Sequence, residues 1–116
     1  MKNKLVINNR EFYSHPIYNT YAGSLDGYVV NICEQQPFLG VANDKGNMII
    51  FIGDDKWSYH VHDFIWECFH GFLKEGEKVK HINKQRDDNR LENLKLYGPK
   101  DTYITIKVSG NCETYV

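Results

Sequence analysis

Val79-Lys80-His81-Ile82-Asn83-Lys84-Gln85-Arg86-Asp87-Asp88-Asn89-Arg90-Leu91-Glu92-Asn93-Leu94-Lys95-Leu96 is the stretch on which the reading of this chain turns. A short apolar/polar alternation ends at His81, and a loop dense in Asn, Asp, Lys and Arg follows. Leu94-Lys95-Leu96-Tyr97 then resumes the alternation. Alternation marks a half-buried strand, and Asn and Asp side chains bond backbone groups in turns. Strand, polar loop, strand therefore holds one histidine at the end of a rigid element. A histidine so placed is a candidate general base, because its unperturbed pKa lies near neutrality. The plain alternative is a surface hairpin with a solvated turn.

The segment from His81 to Leu94 resembles the core motif of HNH endonucleases of the His-Me finger (ββα-metal) superfamily. These are phage- and virus-type enzymes, often homing endonucleases. His81, Asn89, Arg90, Glu92, Asn93 and Leu94 stand at the spacing of that motif. Tyr59 to Phe69 resembles the strand-to-helix lead-in of the family, with His62 at its histidine. His15-Pro16-Ile17-Tyr18 through Asn31 resembles a segment that often precedes it. The similarity runs from about Pro16 to Lys100.

The resemblance implies an α+β fold: a small antiparallel sheet, one main helix and a β-loop-β finger. It implies His81 as the general base that activates water and Asn93 as the asparagine that ties the loop and keeps the histidine in place. A divalent metal such as Mg²⁺ at the scissile phosphate, and DNA as partner, belong to the same expectation. The metal positions depart from the pattern. Lys80 stands where the family has Asp or Asn, and an ammonium has three donors and no acceptor. Thr102 stands at the second ligand position. No metal is expected unless the chain is an active enzyme.

Outward from the finger, the 116 residues suffice for one domain, 1–116, with strands over 1–61, a helix over about 62–73, the finger over about 78–97 and a strand over about 102–108. Lys4-Leu5-Val6-Ile7, Tyr28 to Ile32, Met48 to Ile52 and Trp57 to Val61 read as strands, separated by the turn signals Asp26-Gly27, Asn43 to Asn47 and Gly53 to Lys56. Phe64, Ile65, Cys68, Phe69 and Phe72 recur at helical spacing, with Trp66 at the margin. Thr102 to Val108 is β-branched and alternates with period two, which replaces the family's closing helix with a strand. Tyr13, Tyr18, Tyr21 and Tyr28 are candidates for stacking on bases, with core and rim packing the commoner use of such residues.

Three cysteines without a CxxC spacing suit reduced thiols, and no apolar run approaches the roughly 18 residues of a membrane span. The first eight residues lack the apolar core of a signal peptide. An intracellular protein, not secreted, is expected. A zinc site on His60, His62, Cys68 and His70 is disfavoured, because Cys68 and His70 lie about 200° apart around a helix. The net charge of −1 is unusual for a dedicated DNA binder, yet residues 71–100 hold eight bases and five acids.

Three readings stay open. One is an HNH-like nucleic-acid-binding protein with lost or impaired nuclease activity, engaging the backbone through Lys80, Lys84, Arg86, Arg90 and Lys95. Another is an active metal-dependent DNA endonuclease with His81 as base and replacement ligands among Asn83, Asp87 and Asp88. The third is a phage- or virus-encoded inhibitor of a host protein on a retired nuclease fold.

Overall fold

The computed structural model describes residues 4–53 and 56–98. Its strands are β1 (Lys4–Ile7), β2 (Arg10–Ser14), β3 (Tyr21–Ser24), β4 (Val29–Asn31), β5 (Val41–Ala42), β6 (Met48–Ile52), β7 (Trp57–His60), β8 (Lys78–His81) and β9 (Leu94–Tyr97). One helix, α1 (Val61–His70), follows β7 without a break, and a 3₁₀ turn at Leu91–Asn93 leads into β9. The fold is α+β, as expected. The finger strands pair as expected in β8-β9, and the remaining strands form two antiparallel sheets instead of one, β1-β2-β3-β4 and β5-β6-β7.

The strands β2 and β3 were not foreseen. The signal was Asn8-Asn9, whose φ angles of 54° and 67° make the tight turn that pairs Ile7 with Arg10. Asparagine tolerates that left-handed conformation, and two such residues suit a two-residue hairpin. Phe12, Ala22 and Val30, from β2, β3 and β4, then bury a small core with Ile7.

The larger core joins all three sheets to the helix: Val29, Ile50, Ile52, Val61, Phe64, Ile65, Cys68, Val79 and Leu94. Val61, Phe64, Ile65 and Cys68 recur at the three- and four-residue spacing of one helical face. The helix ends at His70, short of the expected Leu73. Gly71 there takes φ 95° and its N–H bonds the Glu67 carbonyl. The Leu73 N–H turns back to the Glu67 carboxylate at 3.0 Å, so the chain leaves the helix and Phe72 is exposed.

Glu67 is the centre of a buried polar hub. His15 Nε2 lies 2.8 Å from Glu67 Oε1, and the Tyr59 hydroxyl donates to the same oxygen. His15 Nδ1 accepts the N–H groups of Ile17 and Tyr18, each at 3.1 Å. The tyrosines that the sequence offers for base stacking pack inward in part. Tyr18 and Tyr21 lie against the large core, and Tyr28 lies against the small one under the Arg10 guanidinium. Among the described residues no helix is long and apolar enough to cross a membrane. The expected strand at 102–108, Thr102 and Lys100 lie outside the described residues.

Candidate nucleic-acid interface

β8 and β9 pair from Lys78↔Tyr97 to His81↔Leu94. Alternation puts Val79, Leu94 and Leu96 on the core side and Lys78, Lys80, Lys95 and Tyr97 on the other. Lys80 and Lys95 sit directly opposite one another, with ammonium groups 4.7 and 5.5 Å from the centre of the Tyr97 ring. Like charges directly opposite in a sheet are unfavourable, and neither lysine makes an ion pair among the described residues.

The loop between the strands is held by amides. Asn93, buried in the 3₁₀ turn, accepts the Asn83 N–H at 3.0 Å and donates to the Asn83 side chain at 2.8 Å and the Asp88 carbonyl at 2.9 Å. The turn after β8 puts Lys84 in the left-handed region at φ 65°. Such strain in a non-glycine residue costs about 1 kcal/mol and needs a surrounding network to hold it.

Asn89 makes the contact to the histidine. Its side-chain oxygen lies 2.7 Å from His81 Nε2. An amide oxygen only accepts, so Nε2 carries a proton and donates to it. Nδ1 has no hydrogen bond among the described residues. The sequence reading gave the positioning role to Asn93. The structure divides it: Asn93 closes the loop, and Asn89 touches the ring. No spacing rule separates the two, since both fall within the same motif.

Asn89 is itself placed by the N-terminal sheet. The β3–β4 turn presses against it, with Gly27 at φ 93° and so close that a Cβ there would meet the Asn89 backbone at 3.0 Å. The Leu91 N–H bonds the Leu25 carbonyl across the same junction at 2.8 Å.

A cleft of about 720 Å³ opens beside His81. It is lined by Lys45, Lys78, Lys80, Lys84 and Arg86, with Asn47, His60, His62, Val79 and His81, and among the described residues by no carboxylate. Lys45 and Asn47 were not expected there. They come from the Asn43–Asn47 turn, which the Arg86 guanidinium reaches by donating to the Lys45 carbonyl. Of the cations singled out in the sequence, Lys80, Lys84 and Arg86 face this cleft, and Lys95 stands beside Lys80. Arg90 does not join them. Its guanidinium pairs with Asp88 and Glu92, each at 2.7 Å.

The Arg90 hydrogen bonds hold the Asp88 carboxyl well below the usual carboxylate range, helped by the Asn83 amide. Asp88 and Asn83 are thus engaged in the loop's own hydrogen bonds. The His62 ring lies 4.9 Å from the His81 ring. Burial, then the neighbouring His81 and His60, push the His62 pKa down to about 3. Burial, then Glu67, raises Asp63 to about 7.

The segment that holds the helix and the finger is also the one that comparison with known families picks out. Residues 59–100 match the HNH endonuclease family. Among solved structures the HNH homing endonuclease I-HmuI, described for DNA binding and cleavage, resembles the chain with a TM-score of 0.63 and 21% identity. The likeness covers 89% of this chain and 61% of that one, so the chain spans less than two thirds of its length. No curated protein matches the chain.

The divalent metal that HNH enzymes use does not fit at the family's first ligand position in this chain. Lys80 stands there, offering no lone pair at neutral pH and lying over Tyr97.

Proposed function

We propose that this chain binds DNA through its phosphate backbone, in the cleft beside His81. The observation that carries the reading is the cleft lining: five cationic side chains and, among the described residues, no carboxylate, in a protein whose net charge is −1. Clustering cations against the overall charge costs self-repulsion, which a polyanion relieves by counterion release. The Lys80–Lys95 juxtaposition, unpaired among the described residues, belongs to the same face.

Fluorescence anisotropy on duplex DNA in EDTA tests it. Binding is expected to weaken steeply with salt, and Lys84→Ala or Arg86→Ala is expected to lower the log–log salt slope by about 0.9 each. Absence of binding at low salt overturns the proposal.

One observation favours the second reading, nuclease activity. His81 is held through an Nε2–H bond to Asn89 with Nδ1 open, as a general base requires. Nicking of supercoiled plasmid across Mg²⁺, Mn²⁺, Zn²⁺ and EDTA, lost in His81→Ala, is its expected signature. Nicking that survives the substitution excludes this mechanism.

A further inference from the structure

β7 ends at His60 and α1 begins at Val61, whose buried side chain fixes the junction. His60 and His62 flank that anchor, with ring centres 5.1 Å apart and planes tilted by 32°. Asp63, in the first turn of the helix, reaches back to both. Its carboxylate oxygens lie 3.9 Å from His60 Nδ1 and 3.5 Å from His62 Nε2. One ligand atom from each of the three lies within 4.8 Å of the others. We propose that His60, His62 and Asp63 bind a divalent transition-metal ion of the zinc class at the edge of the finger cleft.

A tetrahedral ion with bonds near 2.1 Å spaces its ligand atoms by about 3.4 Å. The three residues therefore need adjustments of about 1 Å, and His60, the most exposed of them, has the freedom to make them. Two imidazoles and a carboxylate form a recurrent donor set for zinc and its neighbours, with at least one position left for water or substrate oxygen.

A second observation is independent of the spacing. His62 Nδ1 is buried and has no hydrogen-bond partner among the described residues. The other nitrogen has only Asp63 nearby, at a distance too long for a good bond. Nε2, the nitrogen on the Asp63 side, is therefore left without a protein hydrogen bond among the described residues and accessible at the cleft. Nε2 is thus the nitrogen of His62 that is available to a metal ion, on the same side as Asp63 and His60.

The charge of the surroundings selects the ion. The helix N-terminus and the lysines of the cleft both oppose a cation, and Asp63 offsets this only in part. Binding must come from coordination by imidazole nitrogen, which favours Zn²⁺, Co²⁺ and Ni²⁺ over the oxygen-seeking Mg²⁺ and Ca²⁺. His60 and His62 line the cleft that holds His81, so the open coordination position faces the same space. The metal site goes beyond the nucleic-acid reading and does not depend on it.

Titration calorimetry on the untagged full chain, without nucleic acid, tests the site with Zn²⁺ and separately with Mg²⁺. About one Zn²⁺ per chain is expected, with no heat from Mg²⁺. His60→Ala and Asp63→Asn, at partly exposed positions, are each expected to weaken Zn²⁺ binding about tenfold or more. His62→Asn serves as a third variant, checked for folding by circular dichroism. Co²⁺ absorption reports the donors: bands of nitrogen and oxygen ligation support the site, and a thiolate charge-transfer band assigns the metal to cysteine and overturns it. Absence of Zn²⁺ binding, or undiminished binding in the His60→Ala/Asp63→Asn double variant, also overturns it. DNA binding measured in EDTA fails or succeeds separately, which keeps the two proposals distinguishable.

Discussion

His15 and His81 are each held through Nε2 by the side chain of a buried residue, Glu67 in one case and Asn89 in the other, yet they differ at Nδ1. His15 is 1% exposed, stacked on Phe64 at 4.6 Å, with both nitrogens engaged: Nδ1 by two backbone N–H groups and Nε2 by Glu67. His81 has one nitrogen engaged and the other open to a cleft. The number of nitrogens left over, more than burial, separates a histidine that joins elements from one that can act on a ligand.

The sharpest way to break the contrast is at Glu67. Glu67→Ala leaves His15, Tyr59 and the Leu73 N–H without their shared acceptor, and a loss of about 3 kcal/mol or more is expected in urea unfolding. Glu67→Gln, which keeps an acceptor, is expected to lose less. A Glu67→Ala variant as stable as a surface substitution would remove the structural role assigned to His15.

Gly27→Ala attacks the other histidine at a distance. A side chain at φ 93°, 3.0 Å from the Asn89 backbone, is expected to cost about 2 kcal/mol and to shift the His81 imidazole signals in NMR. Stability loss with unchanged His81 signals would show that the turn supports the fold without setting the site.

The Asn89→Ala variant sharpens the comparison more gently. About 1 kcal/mol of stability is expected to go, and nitrogen-15 NMR is expected to show mixed His81 tautomers in place of the Nε2–H form. A single unchanged tautomer would mean that Asn89 does not hold the ring.

The smallest effect concerns pH. The Asp88 pKa is depressed in the folded chain, so its contribution is full above the unfolded value of about 3.8 and lost as pH falls toward the folded value. Arg90→Ala is expected to return the Asp88 titration, followed by NMR, toward that ordinary value. A titration still depressed in Arg90→Ala would assign the effect to the Asn83 amide instead.

What the sequence disclosed follows local pattern. The finger strands β8 and β9 read directly from alternation, β6 read as an apolar run between turn signals, and α1 read from the recurrence of Phe64, Ile65 and Cys68. β2 and β3 stayed hidden because Arg10-Glu11-Phe12-Tyr13-Ser14 and Tyr21-Ala22-Gly23-Ser24 hold few β-branched residues, and their pairing depends on the Asn8-Asn9 turn. The helix end was misplaced because apolar periodicity continues through Phe72, whereas the backbone obeys Gly71 and the Glu67 carboxylate. At the site, His81 and the loop amides were legible as a motif. The convergence of Lys45, His60 and His62 on the same cleft was not, because it arises from three elements distant in sequence.

The junction between the β3–β4 turn and the finger has a bearing on portability. The matched span 59–100 looks like a self-sufficient cassette, but the Leu25 carbonyl, the Gly27 backbone and the His15 ring all belong to the N-terminal half. Transplanted alone into a new host, the cassette would carry His81 and leave behind the surface that presses on Asn89. Whoever grafts this finger must graft its cradle.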